Sequence, residues 1–120
     1  MKMSEEVKKA VAECSPALVA TTNKAGKPNV SAKGSLRVLD DEHLVFADIR
    51  SPHTIANIKE NPQVGIICLN PNTRKACRIW GKAEIIDSGD IFNQLSKEFA
   101  ARNMKVNHVV KVAVEEAFAV

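Results

Sequence analysis

Residues 78–85 alternate between apolar and polar side chains, and this pattern constrains the fold more than any other feature of the chain. The small or apolar positions are Ile79, Gly81, Ala83 and Ile85. The positions between them are Arg78, Trp80, Lys82 and Glu84. Successive side chains of a strand point to opposite faces, so Ala76–Ile86 predicts a half-buried β-strand. Such a strand needs a sheet that is covered on one side.

Five other short segments also predict strands, because each is an apolar or alternating run bounded by turn residues. They cover residues 17–22, 29–38, 43–47, 63–69 and 109–114. The turns around Gly26 and Asp41 are short, so the first three predicted strands form an antiparallel meander. The chain is therefore expected to build a six-stranded antiparallel sheet.

Helical spacing of apolar residues occurs in three places. The predicted helices cover residues 5–14, 52–59 and 90–102. Ser15-Pro16 ends the first helix, since the residue before a proline disfavours helical geometry. Six short strands and three short helices in one domain, residues 1–120, predict an α+β, mainly β fold. Its barrel-like sheet would carry the short helices on its periphery.

The composition argues against two classes of partner. A net charge of +3 is too small to indicate nucleic-acid binding, and an aromatic content of 4% offers few platforms for stacking bases. No segment is apolar over the thickness of a bilayer, and the N-terminal residues do not resemble a signal peptide. We therefore expect neither a nucleic-acid nor a membrane partner.

The cysteines and histidines form no motif that indicates a metal site. The three cysteines are Cys14, Cys68 and Cys77, and none belongs to a C-x-x-C pair. Cys68 lies in an apolar run, which predicts a buried reduced thiol and a cytoplasmic location. The three histidines fall in three separate elements, so we expect no bound metal.

The segment after the third predicted strand has the residues of an anion site. Ser51 suits the N-cap of the second helix, and Pro52 suits its first position. The unpaired N–H groups of a first helical turn attract phosphate, and Ser51, His53 and Thr54 surround that turn. The alternative is that Ser51 is only a cap and His53 only a surface residue.

A basic side chain on the second predicted strand can complete this anion site. Ser31, Lys33 and Ser35 share one face of that strand, and Lys33 can reach the start of the second helix if strands two and three pair. The simpler interpretation leaves Lys33 solvated. Likewise, Asn57 can be a plain surface residue, and Trp80 can belong to the core or to a subunit interface.

Four segments together resemble the pyridoxamine 5′-phosphate oxidase-like split β-barrel family of small flavin-binding proteins. They are Val30–Leu36, Leu44–Ser51, Thr54–Val64 with its Glu-Asn-Pro helix end, and Trp80–Ala83. The resemblance is clearest from Ala17 to Ile86. It implies a six-stranded antiparallel split β-barrel with FMN as the cofactor. It also implies a homodimer that holds the flavin at the subunit interface.

The resemblance also assigns site residues. The phosphate end would be formed by Ser31, Lys33, Gly34, Ser51, His53, Thr54 and Asn57. The backbone along the flavin ring would come from Ala47, Asp48 and Ile49. Trp80 would reach the flavin of the partner subunit, and no side chain is assigned as a catalyst.

The function implied by the resemblance is that of an FMN-binding redox flavoprotein. Pro52-His53 stands where the true oxidase usually has Arg-Lys, so the turn indicates cofactor binding more than any named reaction. Two alternatives stay open. One is a carrier that binds a flavin or a haem-like ligand without turnover, and the other is a deazaflavin-dependent reductase.

Overall fold

The computed structural model describes residues 1–14 and 16–119, and within them seven strands form one antiparallel sheet. The strands are β1 (Ala17–Thr22), β2 (Pro28–Lys33), β3 (Arg37–Asp40), β4 (His43–Asp48), β5 (Gln63–Asn70), β6 (Lys75–Ile86) and β7 (His108–Ala119). The helices are α1 (Glu5–Glu13), α2 (Pro52–Glu60) and α3 (Asp90–Ala100). The predicted helix end at Ser15 lies outside the described residues.

The mainly β fold with three short helices is confirmed, but the predicted count of six strands is wrong. A turn at Gly34 and Ser35 divides the predicted strand 29–38 into β2 and β3. β2 pairs with β1 and β3 pairs with β4, which puts the two halves at opposite ends of the order β2-β1-β5-β6-β7-β4-β3. Both antiparallel pairings of the predicted meander occur, but the meander is not continuous, because its middle strand breaks at this turn.

Two separate core clusters lie on the two faces of the sheet. One core cluster lies on the inner face and includes Val19, Phe46, Ile66, Ile79 and Val112. A second cluster under α3 includes Val45, Leu95, Phe99 and Val109. Because β4 contributes to both clusters, all of its residues from Leu44 to Asp48 are buried. This explains why β4 is a continuous apolar run, whereas successive residues of β6 alternate between buried and exposed.

The helices are held by caps and by apolar contacts. The Ser4 hydroxyl accepts a hydrogen bond from the Val7 amide at 3.2 Å, which caps α1. Ile55 and Ile58 bury the inner face of α2. α3 has 11 residues and begins after Gly89, whose φ of 97° favours glycine. None of the helices in the described part of the chain has the length and hydrophobicity to cross a membrane.

Gly81 lies where β6 approaches β7 most closely, beside a register shift between Trp80 and Gly81. A Cβ atom at this position would overlap the carbonyl oxygen of Ala113 and would lie 2.7 Å from Cγ1 of Val112. Both neighbours belong to a packed strand, so neither can move aside without disturbing the core.

We expect Gly81→Ala to lower the free energy of unfolding by about 1–3 kcal/mol, the usual cost of overpacking. Urea denaturation followed by circular dichroism measures the change. Gly34→Ala is the matched control, because a Cβ there meets nothing within 4 Å. Equal losses of stability in the two variants would contradict the close approach of β6 and β7.

Candidate functional site

The last residue of β2 brings a cation into the interior. The residues of β2 alternate in burial, so Asn29, Ser31 and Lys33 face inward while Val30 and Ala32 face out. Lys33 is 7% exposed, and its ammonium group lies 5.7 Å from the centre of the Phe46 ring. The side chain is therefore a desolvated cation and not the solvated lysine of the simpler interpretation.

The ammonium group of Lys33 meets the start of α2. Its hydrogen-bond partner is the hydroxyl of Ser51, the N-cap residue. Within the described residues this hydroxyl makes no capping bond to the helix. The first helical bond runs from the Ile55 amide to the Ser51 carbonyl at 3.1 Å, so the amides of His53 and Thr54 precede the helical ladder. A cation, a hydroxyl and helix-start amides thus converge at one point.

Two predicted site residues hold α2 against the sheet. The Thr54 hydroxyl is buried and shares hydrogen bonds with Ser31 at 3.1 Å and with Asn29 at 3.4 Å. The Asn57 amide donates to the hydroxyl of Thr21 on β1 at 3.1 Å. These bonds fix the position of the helix start, and they draw the Thr54 hydroxyl toward β2.

Three other predicted residues have side chains or backbone exposed to solvent. His53 and Gly34 are exposed. Trp80 is 38% exposed on the outer face of β6, where its ring meets Phe118 edge to face at a centroid distance of 6.0 Å. Lys33 faces inward, so the structure does not bring Trp80 to the Lys33 cluster within one protomer.

Asp48 ends β4 with an unsatisfied carboxylate oxygen. The residue is 3% exposed, and among residues 1–14 and 16–119 no group donates a hydrogen bond to its Oδ1. Burial lowers the pKa of Lys33, and the nearby Asp48 carboxylate opposes that shift. Buried polar atoms are almost always paired in native proteins, so Oδ1 marks a position for an external donor.

A cleft of about 1000 Å³ opens beside these groups. It is lined by Asp48–Pro52, Ile55, Ala56, Lys59, Asn103–Lys105, Asn107 and His108. Such a volume is at the upper end of the usual range for small-molecule sites, roughly 300–1,000 Å³. The predicted residues Asp48, Ile49 and Ser51 are part of its wall.

The sequence-based prediction missed the cleft wall contributed by residues 103–108. The Asn107 amide donates to the Asp48 carbonyl at 2.9 Å, and its side chain donates to the Ile49 carbonyl at 2.8 Å. His108 is the strand partner of Asp48 and bonds to the Asp87 carboxylate through Nδ1. These residues are distant from Asp48 along the chain, so no local pattern could reveal them.

The charges around the cleft favour an anionic ligand. Arg50, Lys59 and Lys105 line it, and Asp48 is the one acidic residue among its described lining residues. Lys33 adds a buried positive charge behind Ser51. Cationic side chains and helix-start amides are the groups that bind phosphate.

Comparison with known proteins identifies the family. A sequence model of the family described as pyridoxamine 5′-phosphate oxidase matches residues 3–120. The chain belongs to the pyridoxamine 5′-phosphate oxidase family. An uncharacterized protein of Methanocaldococcus jannaschii is 38% identical over 72 residues, which are 58% of this chain and 48% of that protein. The chain thus matches about half the length of this curated relative.

Solved members with similar structures cover almost the whole chain. HupZ of Group A Streptococcus is 26% identical with a TM-score of 0.88, over 98% of this chain and 94% of HupZ. A proposed pyridoxamine 5′-phosphate oxidase from Lactobacillus delbrueckii is 28% identical with a TM-score of 0.79, over 98% and 93% of the two chains.

More distant structures share the fold while their names specify different ligands. They are an FMN-binding protein from Syntrophomonas wolfei (16% identical, TM-score 0.84), an F420 reductase (20%, 0.75) and the heme storage protein HutZ from Vibrio cholerae (20%, 0.72). Each alignment covers at least 97% of this chain and 84% of the other. At these identities the likeness shows the fold alone.

The buried charge of Lys33 predicts a stability cost. Because burial lowers its pKa, the folded protein binds this proton less tightly than the unfolded chain does. Stability should therefore rise with pH from the lowered pKa toward the unfolded value of 10.5. We expect Lys33→Met to abolish this rise of stability with pH, because methionine has no proton to lose.

Urea denaturation across a range of pH measures this effect. The unfolding free energy of the wild type should rise relative to that of Lys33→Met as the pH approaches 10.5, where Lys33 becomes neutral in both states. Lys97→Met replaces an exposed lysine of α3 and is the control. A difference in unfolding free energy between the two proteins that does not change with pH would show that burial does not lower the pKa of Lys33.

Proposed function

We propose that this protein is an FMN-binding redox flavoprotein that works as a homodimer. The observation that carries the proposal is the buried Lys33 ammonium group, which is paired at the start of α2 with the hydroxyl of Ser51, a residue of the cleft wall. Burying a lysine ammonium group is costly, and the nearby Asp48 carboxylate offsets that cost only in part, so we expect the buried charge to have a use. The use proposed here is to hold the phosphate of the cofactor.

The donor set fits a phosphate monoester. Lys33 supplies a positive charge, Ser51 supplies a hydroxyl, and the His53 and Thr54 amides precede the helical ladder. Arg50 at the cleft wall can balance the second negative charge. His53 adds a third basic group at the surface of the same turn.

The rest of the cleft fits a flavin ring system and its ribityl chain. Ile49, Pro52, Ile55 and Met104 give apolar wall, and the orphaned Oδ1 of Asp48 can accept a hydrogen bond from a flavin N–H or a ribityl hydroxyl. Ala47 and Ile49 flank Asp48, but the Ala47 N–H donates to Ser35 and the Ile49 carbonyl accepts from Asn107, so only their remaining backbone groups could face the ring edge.

The reaction chemistry in this proposal is supplied by the bound flavin, which transfers electrons. The residues of the chain bind and orient it. Lys33 and Ser51 hold the phosphate, while Thr54 and Asn57 keep the start of α2 in place through their bonds to β2 and β1. The three cysteines among the described residues are free thiols, which favours a reducing compartment such as the cytoplasm.

A patch on the outer face of the sheet supports the homodimer. Six large apolar side chains are exposed there: Leu18, Val30, Ile67, Leu69, Trp80 and Phe118. A contiguous apolar face of this kind marks an interaction surface. A second copy that buries it would also bring the Trp80 ring toward the flavin of the partner.

A haem-like ligand is the second candidate, and His108 favours it. His108 lines the cleft, and its Nδ1 is bound to Asp87, which leaves Nε2 as the free nitrogen. A carboxylate that holds one ring nitrogen is the usual support of a metal-binding histidine. The deazaflavin alternative rests on the fold alone.

Titration of the purified protein with FMN and with riboflavin tests the phosphate assignment. We expect Lys33→Ala to weaken FMN binding by about 1–3 kcal/mol, because it removes a charged hydrogen-bond partner of the phosphate. Riboflavin lacks the phosphate, so its affinity should change much less. Flavin fluorescence measures both affinities.

Lys27→Ala, in the exposed turn between β1 and β2, is the control for a general change of charge. Equal losses for FMN and riboflavin would remove Lys33 from the phosphate site. If the protein binds neither flavin but binds haem, and His108→Ala abolishes that binding, the second candidate replaces the first.

A charge substitution on the outer face tests the proposed dimer interface. Val30 is 62% exposed on the outer face, so Val30→Glu adds a charge to the patch without disturbing the core of the protomer. We expect it to weaken dimerisation at least about tenfold, since an unpaired charge would be buried at the interface. Analytical ultracentrifugation measures the association.

Leu39→Glu is the matched control, because Leu39 is also an exposed apolar residue but lies on β3, at the other end of the strand order. FMN affinity should fall together with dimerisation in Val30→Glu if the flavin lies at the interface. A Val30→Glu protein that remains dimeric would exclude this face as the interface.

A further inference from the structure

His108 lies in a row of three titratable residues that crosses three adjacent strand positions. On one side its strand partner is Asp48, the last residue of β4. On the other side Ile86 pairs with Val109, so Asp87, the residue after β6, lies opposite His108. Side chains directly opposite each other in antiparallel strands share a face, with their Cβ atoms about 4.5–5.5 Å apart. The imidazole is therefore flanked by a carboxylate on each side.

The hydrogen bond to Asp87 determines which ring nitrogen of His108 carries the proton. An ionised carboxylate can only accept a hydrogen bond, so Nδ1 of His108 donates to Oδ1 of Asp87. In the neutral ring, Nε2 then has a lone pair and no proton. A proton taken up at Nε2 gives an imidazolium that stays paired with Asp87.

The chain contains a second histidine–aspartate pair of the same kind. Nδ1 of His43 lies 2.8 Å from Oδ1 of Asp40, and the side chains of His43 and His108 are each 28% exposed. His43 begins β4, at the opposite end of that strand from Asp48 and about 15–17 Å away. The described residues that line the cleft include His108 and not His43. Position beside the cleft, and not the pairing itself, thus distinguishes His108.

The orphaned oxygen of Asp48 links His108 to the proposed flavin site. Oδ1 of Asp48 is buried and has no donor among residues 1–14 and 16–119, so in that site it accepts its hydrogen bond from the ligand. A ligand group bonded to this oxygen is next to His108, because the two residues are strand partners. A negative charge within about 4–6 Å of an imidazole favours the protonated ring.

The other charged groups around the cleft are less suited to exchange a proton at neutral pH. Asp48 faces His108 from β4, and Asp87 faces it from the end of β6. The cations around the cleft are Lys33, Arg50, Lys59 and Lys105. Among these described side chains the imidazole is the one whose ordinary chemistry is to gain and lose a proton near neutral pH.

We propose that His108 takes up a proton at Nε2 when the bound flavin is reduced by a hydride donor. The hydride brings two electrons and one proton to the ring, which gains a negative charge, and the donor is oxidised by the same two electrons. His108 accepts a second proton from solvent and returns it when the flavin is reoxidised. This inference rests on the proposed FMN site, and it adds a residue that couples proton uptake to electron transfer there.

Spectroelectrochemical titration of the FMN-loaded protein over a range of pH tests the proposal. One extra proton per two electrons steepens the fall of the midpoint potential by about 30 mV per pH unit. We expect this extra slope near neutral pH in the wild type and its loss in His108→Gln, because an amide cannot be protonated there. His43→Gln is the matched control and should keep the slope of the wild type.

Asp87→Asn gives a second readout that keeps His108 in place. The Asp87 side chain is 61% exposed, so the variant should fold. Loss of this carboxylate makes the imidazolium less favourable, so the steeper range should move to lower pH, whereas Asp40→Asn should leave it unchanged.

Two results would overturn the inference and leave the FMN site intact. They are equal slopes in the wild type and His108→Gln, and a steeper range that does not move in Asp87→Asn. A wild-type protein that binds neither FMN nor riboflavin would instead refute the proposed function, and this inference with it.

Discussion

The antiparallel pairing of β4 with β7 is the contact on which the site depends. It sets Asp48 opposite His108 and places residues 103–108 beside the start of α2. β4 is buried on both faces, so its position is fixed from two sides. The cleft therefore has one wall that comes directly from the core, and a cofactor held there would meet a rigid surface.

The buried Lys33 side chain is a local source of strain next to this rigid wall. The side chain is taken out of water and placed near Phe46, and its hydrogen-bond partner is a neutral hydroxyl and not a contacting carboxylate. Such an arrangement costs stability in the isolated protein. The same arrangement is ready for an anion, because little reorganisation is needed when a phosphate arrives.

Much of the fold could be predicted from local patterns, because each pattern reflects burial on a short length of chain. The alternation in β6, the continuous run in β4 and the start of α2 at Pro52 all have this origin. The break at Gly34 and Ser35 was missed, since strand-like residues lie on both sides of it. One predicted strand therefore became two edge strands, and the predicted strand count was one too low.

The sequence by itself determined the β-rich class, the helix start at Ser51-Pro52 and the inward face that carries Ser31 and Lys33, since all three depend on neighbours along the chain. Only the tertiary structure decided which groups meet. Trp80 lies on the outer face, Asp48 has an oxygen without a donor among the described residues, and Asn107 and His108 complete the cleft. These outcomes depend on pairing between strands that are distant in sequence, which no local pattern encodes.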